Sequence, residues 1–140
     1  MPAYWNNTDL TEMAFSPDGQ WFKSGDLVRR DDEGYIFVVD RLKNMYISGG
    51  ENVYPAEIER VINTIEDVSE SVVIGVKDEK WGEVGKAIIV WKPGANIPSD
   101  ERIRDNIATQ LAKFKIPKYF MSTLSTNVAS ILHYYIYPLK

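Results

Sequence analysis

The sequence predicts an α+β fold in which a small sheet is flanked by two main helices and preceded by a β-hairpin. Three observations carry this. Residues 71–76 (SVVIGV) and 86–91 (KAIIVW) are β-branched runs separated by the turn-like DEKWGE, the pattern of two buried strands. Residues 55–65 and the segment after Ser99 repeat their apolar side chains at helical spacing. DLVRR and YIFVVD flank Asp31, Asp32, Glu33 and Gly34, a polar turn between two extended runs.

Taken in order, residues 1–39 read as turns and short strands, with SPDG at 16–19 as strong turn chemistry ahead of Trp21 and Phe22. The charged stretch 40–43 lies between the hairpin and a glycine loop, which makes it the expected boundary or hinge. Pro55 suits a first helical turn, Glu57 and Glu59 complement the positive helix end, and Ile58, Val61, Ile62 and Ile65 form one face. Ser99 is placed to cap the second helix, whose apolar face is Ile103, Ile107 and Leu111. Lys113 and Lys115 suit its negative end, and Pro117 stops it.

The domain expectation is a hairpin body at 1–39, a lid-like body at 40–120 and a divergent apolar tail at 121–140. From Phe120 onward there is no acidic residue and only Lys140 is basic, whereas VASILHYYIYPL at 128–139 is mostly apolar. Such a tail either packs on the domain, docks on a partner, or is foreign to the fold and stays exposed.

Bulk chemistry narrows the function. A chain of 140 residues is long enough for one modest core and short for most two-substrate enzymes. With 16 basic against 20 acidic side chains and no basic cluster, nucleic acid is not an expected partner. The absence of cysteine removes disulfides, thiolate metal sites and cysteine nucleophiles, and agrees with a reducing, cytoplasmic setting. The N-terminus lacks a basic region followed by an apolar run, and no apolar stretch reaches spanning length, so neither a secretory signal nor a transmembrane segment is expected.

The residues with chemical promise cluster in two segments. In WFKSGDL, Asp26 beside Gly25 could accept two hydrogen bonds from a vicinal diol, although an isolated Gly-Asp pair is ordinary turn material. In DRLKNMYISGGENVYPAEIERVI, Arg41 offers a permanently charged fork for a hydroxyl or phosphate, with a surface ion pair to Asp40 or Glu33 as its plain alternative. Gly49 and Gly50 permit backbone shapes closed to other residues and leave room for a narrow ligand arm, or else make a tight strand-to-helix turn. No Gly-Lys-Ser/Thr follows, so this is not a triphosphate loop.

Together these two segments resemble the C-terminal portion of adenylate-forming enzymes, specifically the acyl-CoA synthetases of the AMP-dependent synthetase and ligase family, over about residues 4–120. The resemblance implies a C-terminal lid preceded by the last hairpin of a large N-terminal adenylation domain, itself an expected partner. It also implies a reaction in which a carboxylic acid attacks ATP, bound with Mg, to give an acyl-adenylate, after which the CoA thiol forms the thioester. By resemblance Asp26 and Arg41 bind the nucleotide, Lys43 approaches the adenylate phosphate, Asn52 lies near the adenylate, Asp40 is the hinge, and Gly49 and Gly50 border the CoA arm. Phe114 falls where relatives place a contact to the CoA nucleotide, with a core role as its alternative. Ile47 and Gly49 stand where many members carry further lysines, so roles resting on those lysines do not transfer.

Two elements of the machinery are not read in these residues. The Ser/Thr/Gly-rich phosphate loop and acyl pocket belong to the N-terminal domain. The family's Thr-Gly-Lys lysine is also missing; spacing sets His133 near its place without the flanking pattern, so no catalytic residue is assigned. The expectation is a fragment of an ATP-dependent acid–thiol ligase that is inactive alone. The alternatives are a binding module that keeps the lid fold without catalysis, and a relative that serves a carrier protein instead of CoA.

Overall fold

The computed structural model describes residues 3–124, which form two compact units, one through Lys43 and one from Asn44. In the first unit, helix α1 (Thr8–Ala14) is capped by the Asn7 side chain, which accepts the Leu10 N–H at 3.0 Å. This helix was not expected, because it is short, buries no residue and therefore shows no apolar stripe. Strands β1 (Asp26–Arg30) and β2 (Ile36–Arg41) pair antiparallel as the predicted hairpin. Its turn is closed by Asp31, whose carboxylate accepts the Tyr35 N–H at 2.9 Å.

Strand β2 carries the chain through Asp40 and Arg41, so this unit closes at Lys43 and not at residue 39 as expected. The ladder hydrogen bonds of those two residues hold them in the hairpin. Asp40 is the only buried residue among the described residues of this unit.

The second unit starts with a small hairpin, β3 (Tyr46–Ser48) and β4 (Glu51–Val53), turned by Gly49 and Gly50 at φ 59° and 88°. Two successive positive φ values make the tight turn that two-residue hairpins require. The glycines thus join two strands, where the sequence suggested a loop running into a helix. Helix α2 (Pro55–Ile62) follows, with Pro55 in its first turn. It stops three residues short of the predicted Ile65: the Thr64 and Ile65 N–H groups bond to Val61 and Ile62, tightening the end, and Asp67 at φ 64° reverses the chain.

Strands β5 (Val68–Asp78) and β6 (Gly82–Trp91) form a long antiparallel pair, each extending beyond its predicted apolar run because the ladder continues through Lys77 and Glu83. Helix α3 (Asp100–Ala108) begins at Ser99, whose hydroxyl accepts the Arg102 N–H at 3.4 Å. A 3-10 turn at Lys113–Lys115 leads to β7 (Tyr119–Thr123), which lies parallel to β6. The sheet therefore takes in Met121, Ser122 and Thr123, which the sequence assigned to the divergent tail. A parallel ladder is made by backbone groups, so a Ser/Thr-rich edge can join it. Residues 125–140, including His133, lie outside the described residues.

The core gathers Ile58, Val61 and Ile62 from α2, Ile103 and Ile107 from α3, and Val73, Ala87, Ile89 and Trp91 from the sheet. Period-two residues of β6 thus meet helical stripes, as the predicted pattern requires. Each fully buried isoleucine contributes about 1.5–3 kcal/mol.

Candidate functional site

In the first unit, the pairing of Val28 with Val38 but Leu27 with Asp40 makes Val39 an extra residue in β2. Had the outer register continued, Asp26 would face Asp40, carboxylate against carboxylate. The bulge instead sets Asp26 opposite Arg41, and the guanidinium Nε lies 2.9 Å from the Asp26 carboxylate. Arg41 also donates to the Ser24 carbonyl at 3.3 Å, while the Ser24 hydroxyl accepts the Asp26 N–H at 3.2 Å. Arg41 is thus paired with Asp26, and not with the Asp40 or Glu33 that the sequence offered as its surface partners. The side chain of Arg41 is 61% exposed and that of Asp26 28%, so the pair forms a solvent-facing patch of donors and acceptors. Next to it the buried Asp40 carboxylate accepts the Arg41 N–H at 2.6 Å. Lys43, exposed, ends the unit.

In the second unit, the glycine turn is exposed and docked from one side by Trp81. The Gly49 N–H donates to the Trp81 carbonyl at 2.9 Å, and a Cβ on Gly49 would lie 2.9 Å from the indole edge. Trp81 is held by Asp78, whose carboxylate accepts the Lys80 and Trp81 N–H groups at 3.0 Å each. Beside the turn opens a cavity of about 470 Å³ bordered by Ser48, Gly49, Glu51, Trp81, Lys113, Phe114 and Lys118, with Val84 and Ile116 behind them. Asn52 sits on the same hairpin, opposite Ile47 and exposed.

Ion pairs brace the cavity wall. Lys115 makes two 2.8 Å contacts to the Glu57 carboxylate, tying the 3-10 turn to the start of α2. Lys118 pairs with Asp78. The hydrogen bond from the Lys118 ammonium, joined by the Trp81 N–H, holds the Asp78 carboxyl below its usual range, and Asp78 in turn raises Lys118. The cavity therefore combines aromatic faces, the Glu51 carboxylate, the Lys113 ammonium, the Asp78-paired Lys118 ammonium and a wall without side chains, which suits a ligand with a narrow neutral arm and a head that can take both donors and acceptors.

Asp26 and Arg41 thus come together in one unit, and Gly49, Gly50, Asn52 and Phe114 in the other. Sequence reasoning missed Trp81, Lys113 and Lys118 as cavity residues. A tryptophan in the otherwise polar turn DEKWGE was the available signal, since turns rarely spend so large an apolar side chain. Among the described residues no cluster of acidic groups or histidine is suited to a metal, and no helix is long and apolar enough to cross a membrane.

Comparison with known proteins fits these features. The chain is 52% identical over 118 residues to the long-chain-fatty-acid–CoA ligase FadD13 of Mycobacterium tuberculosis, a match covering 84% of this chain and 23% of that protein. It superposes with a TM-score of 0.79 on o-succinylbenzoate CoA synthetase from Bacillus subtilis in complex with its acyl-adenylate intermediate, at 39% identity over 89% of this chain and 25% of the other. ATP-bound MatB from Rhodopseudomonas palustris gives a TM-score of 0.80 at 36% identity, over 96% of this chain and 28% of the other. The chain spans about a quarter of the length of the curated relatives it matches, which are acyl-CoA ligases matched over their C-terminal part. The AMP-binding enzyme C-terminal domain profile matches residues 57–126, half of the sequence, and the chain belongs to that family.

Proposed function

We propose that this polypeptide is the lid portion of an ATP-dependent acid–thiol ligase, together with the hairpin that leads into it. In that reading a separate adenylation body holds ATP with Mg and the carboxylic acid. The carboxylate attacks the α-phosphorus, giving acyl-adenylate and pyrophosphate. The CoA thiol then attacks the mixed anhydride, forming the thioester and releasing AMP. Asp26 and Arg41 grip the ribose, with the carboxylate accepting from its hydroxyls while the guanidinium donates. Lys43 approaches the adenylate phosphate and Asn52 the adenylate itself. Asp40 is the hinge about which the lid turns between the two half-reactions. Gly49 and Gly50 leave passage for the pantetheine arm, with Trp81 and Phe114 flanking it and Lys113 and Lys118 facing the anionic end.

The single observation that supports this best is Gly49 of the glycine turn forming part of the wall of a cavity of about 470 Å³ lined by the aromatic Trp81 and Phe114 and by Lys113 and Lys118. Residues 3–124 supply no acyl pocket or triphosphate loop, so the 140 residues alone are expected to be without turnover. Two measurements on this chain test the reading. Titration with CoA is expected to shift the amide resonances of Gly49, Gly50 and Lys118, and perturbation confined to other residues would refute the cavity assignment. A steady-state assay with ATP, CoA and a panel of fatty and aromatic acids is expected to give no thioester, whereas turnover at the rate of a whole ligase would refute the lid reading.

A further inference from the structure

Nearly all glycines of this chain have positive φ, where glycine is demanded by the backbone; Gly75 and Gly85 do not. Their backbones are ordinary extended strand, open to any residue. These two glycines face each other across β5 and β6. At both, every atom that a Cβ would meet within 3.0 Å belongs to one neighbour, Tyr46 of β3. A Cβ on Gly75 would come within 2.5 Å of the Tyr46 Cβ and 2.9 Å of its Cγ, and one on Gly85 within 2.5 Å of its hydroxyl. The glycine pair is a slot cut across the ladder, and the tyrosine lies along it from root to tip.

Tyr46 is 2% exposed, and its hydroxyl has no hydrogen-bond partner. Burial, with the nearby Glu83 charge, pushes that phenol well above its usual range, so it stays neutral and without an acid–base task. An unpartnered buried hydroxyl costs stability, so the ring's shape, and not its polar tip, accounts for its place.

The strand that begins with Tyr46 ends at Ser48 and runs directly into Gly49, and β3 joins the β6 ladder through the single pair Ser48 and Gly82, with one further bond from the Ile47 N–H to the Glu83 carboxylate at 3.1 Å. A three-residue strand with one ladder pair is a weak attachment. We infer that Tyr46 is a positioning residue: seated in the slot of Gly75 and Gly85, it fixes the β3–β4 hairpin on the sheet and so sets the Gly49–Gly50 turn against Trp81 at the cavity wall. The functional consequence rests on the lid reading above, but the placement does not.

The side-chain geometry dictates an asymmetric test on the full 140-residue chain, read by the amide resonances of Gly49 and Gly50 and by the melting temperature. Tyr46→Phe keeps the ring and is expected to leave both amides in place without loss of stability. Gly85→Ala drives a methyl into the hydroxyl and is expected to displace both amides. In the double variant Gly85→Ala with Tyr46→Phe the colliding oxygen is gone, leaving the former Cζ at 3.4 Å and Pro117 Cα at 3.3 Å, so the resonances return toward wild type. Gly75→Ala collides with Cβ and Cγ, which phenylalanine retains, so Tyr46→Phe does not rescue it.

Rescue at position 85 without rescue at 75 carries the inference, including where Gly85→Ala alone fails to fold and the double variant folds. A double variant no better placed or folded than Gly85→Ala, or Gly85→Ala with both amides unmoved, overturns it. None of these readings requires CoA. If the amides respond as stated but CoA leaves them unmoved, the cavity assignment fails and the slot stands.

Discussion

Trp91, Ile58 and Ile107 of the second unit are buried to 1% exposure or less, whereas Trp5, Trp21 and Val38 of the first are 97%, 72% and 70% exposed. The second unit follows the usual rule: helical stripes and a sheet face close over one core. The first is held by a capped helix, two turns, one two-stranded ladder and a ring contact between Phe15 and Phe22 at 5.6 Å. On β2 both faces carry apolar side chains, with Ile36, Phe37 and Val38 all exposed. A strand apolar on both faces is written for burial on both, and a lone hairpin supplies burial on neither. Under the lid reading, the cover for that hairpin is the adenylation body, to which residues 3–43 contribute an end piece.

The hardest test of this contrast is to separate the units. A peptide of residues 44–124 is expected to melt cooperatively, and one of residues 1–43 to show no cooperative transition by circular dichroism or calorimetry. A cooperative transition in the shorter peptide would break the comparison outright. Next in size are single truncations in each unit. Trp91→Ala removes a fully buried indole and is expected to cost about 3–5 kcal/mol by urea denaturation, a large share of a small domain's stability. Trp5→Ala, the same change at an exposed site, is expected to stay within about 0.5 kcal/mol. Equal midpoints for the two variants would show that the first unit has a core of its own.

The same contrast explains what could be read in the sequence. α2 and α3 announce themselves because Pro55 and Ser99 mark their starts and a core enforces their stripes. α1 touches no core, so nothing imposed a periodic pattern on it. The glycine pair was visible as a special backbone. The hairpin it turns was not, because three-residue strands are too short to show alternation. At the site, Asp26 and Arg41 were legible as residue types. Their pairing depends on a bulge at Val39, and register is a property of two strands at once. The cavity depended on DEKWGE, where a lone tryptophan among charges gave a signal that period-based reading passes over.

A matched pair of glycine variants sharpens the comparison further. Gly25 in the first unit and Gly49 in the second both have positive φ, 77° and 59°, but a Cβ meets nothing within 4 Å at Gly25 and the Trp81 indole at 2.9 Å at Gly49. Alanine at either costs about 1–2 kcal/mol for the left-handed backbone. Only Gly49→Ala adds a collision with a packed neighbour. It is therefore expected to be the more destabilising of the two and to shift the Trp81 indole resonance, which Gly25→Ala leaves alone. Equal costs would mean that Trp81 yields freely and that the cavity wall is soft.

The smallest effect is electrostatic, and its sign is set by the pair at the cavity mouth. The Asp78 carboxyl is held below 3.8 by the Lys118 ammonium and the Trp81 N–H, so its contribution is present above that pH and fades as pH falls through the lowered value. Lys118 is raised above 10.5 by Asp78, so its contribution is complete below 10.5 and fades as pH climbs through the raised value. Lys118→Met removes the pair while leaving Asp78 to accept the Lys80 and Trp81 N–H groups. The difference in melting temperature between wild type and Lys118→Met should hold level between those two limits and shrink beyond either. Because the lysine is half exposed, added salt should narrow that difference within the window. In the first unit, Asp26→Ala breaks a pair that is also solvent-facing, and salt should act there in the same direction. A Lys118→Met difference indifferent to both pH and salt would mean that the lysine works through the packing of its aliphatic stem, leaving Asp78 to hold the Trp81 turn without it.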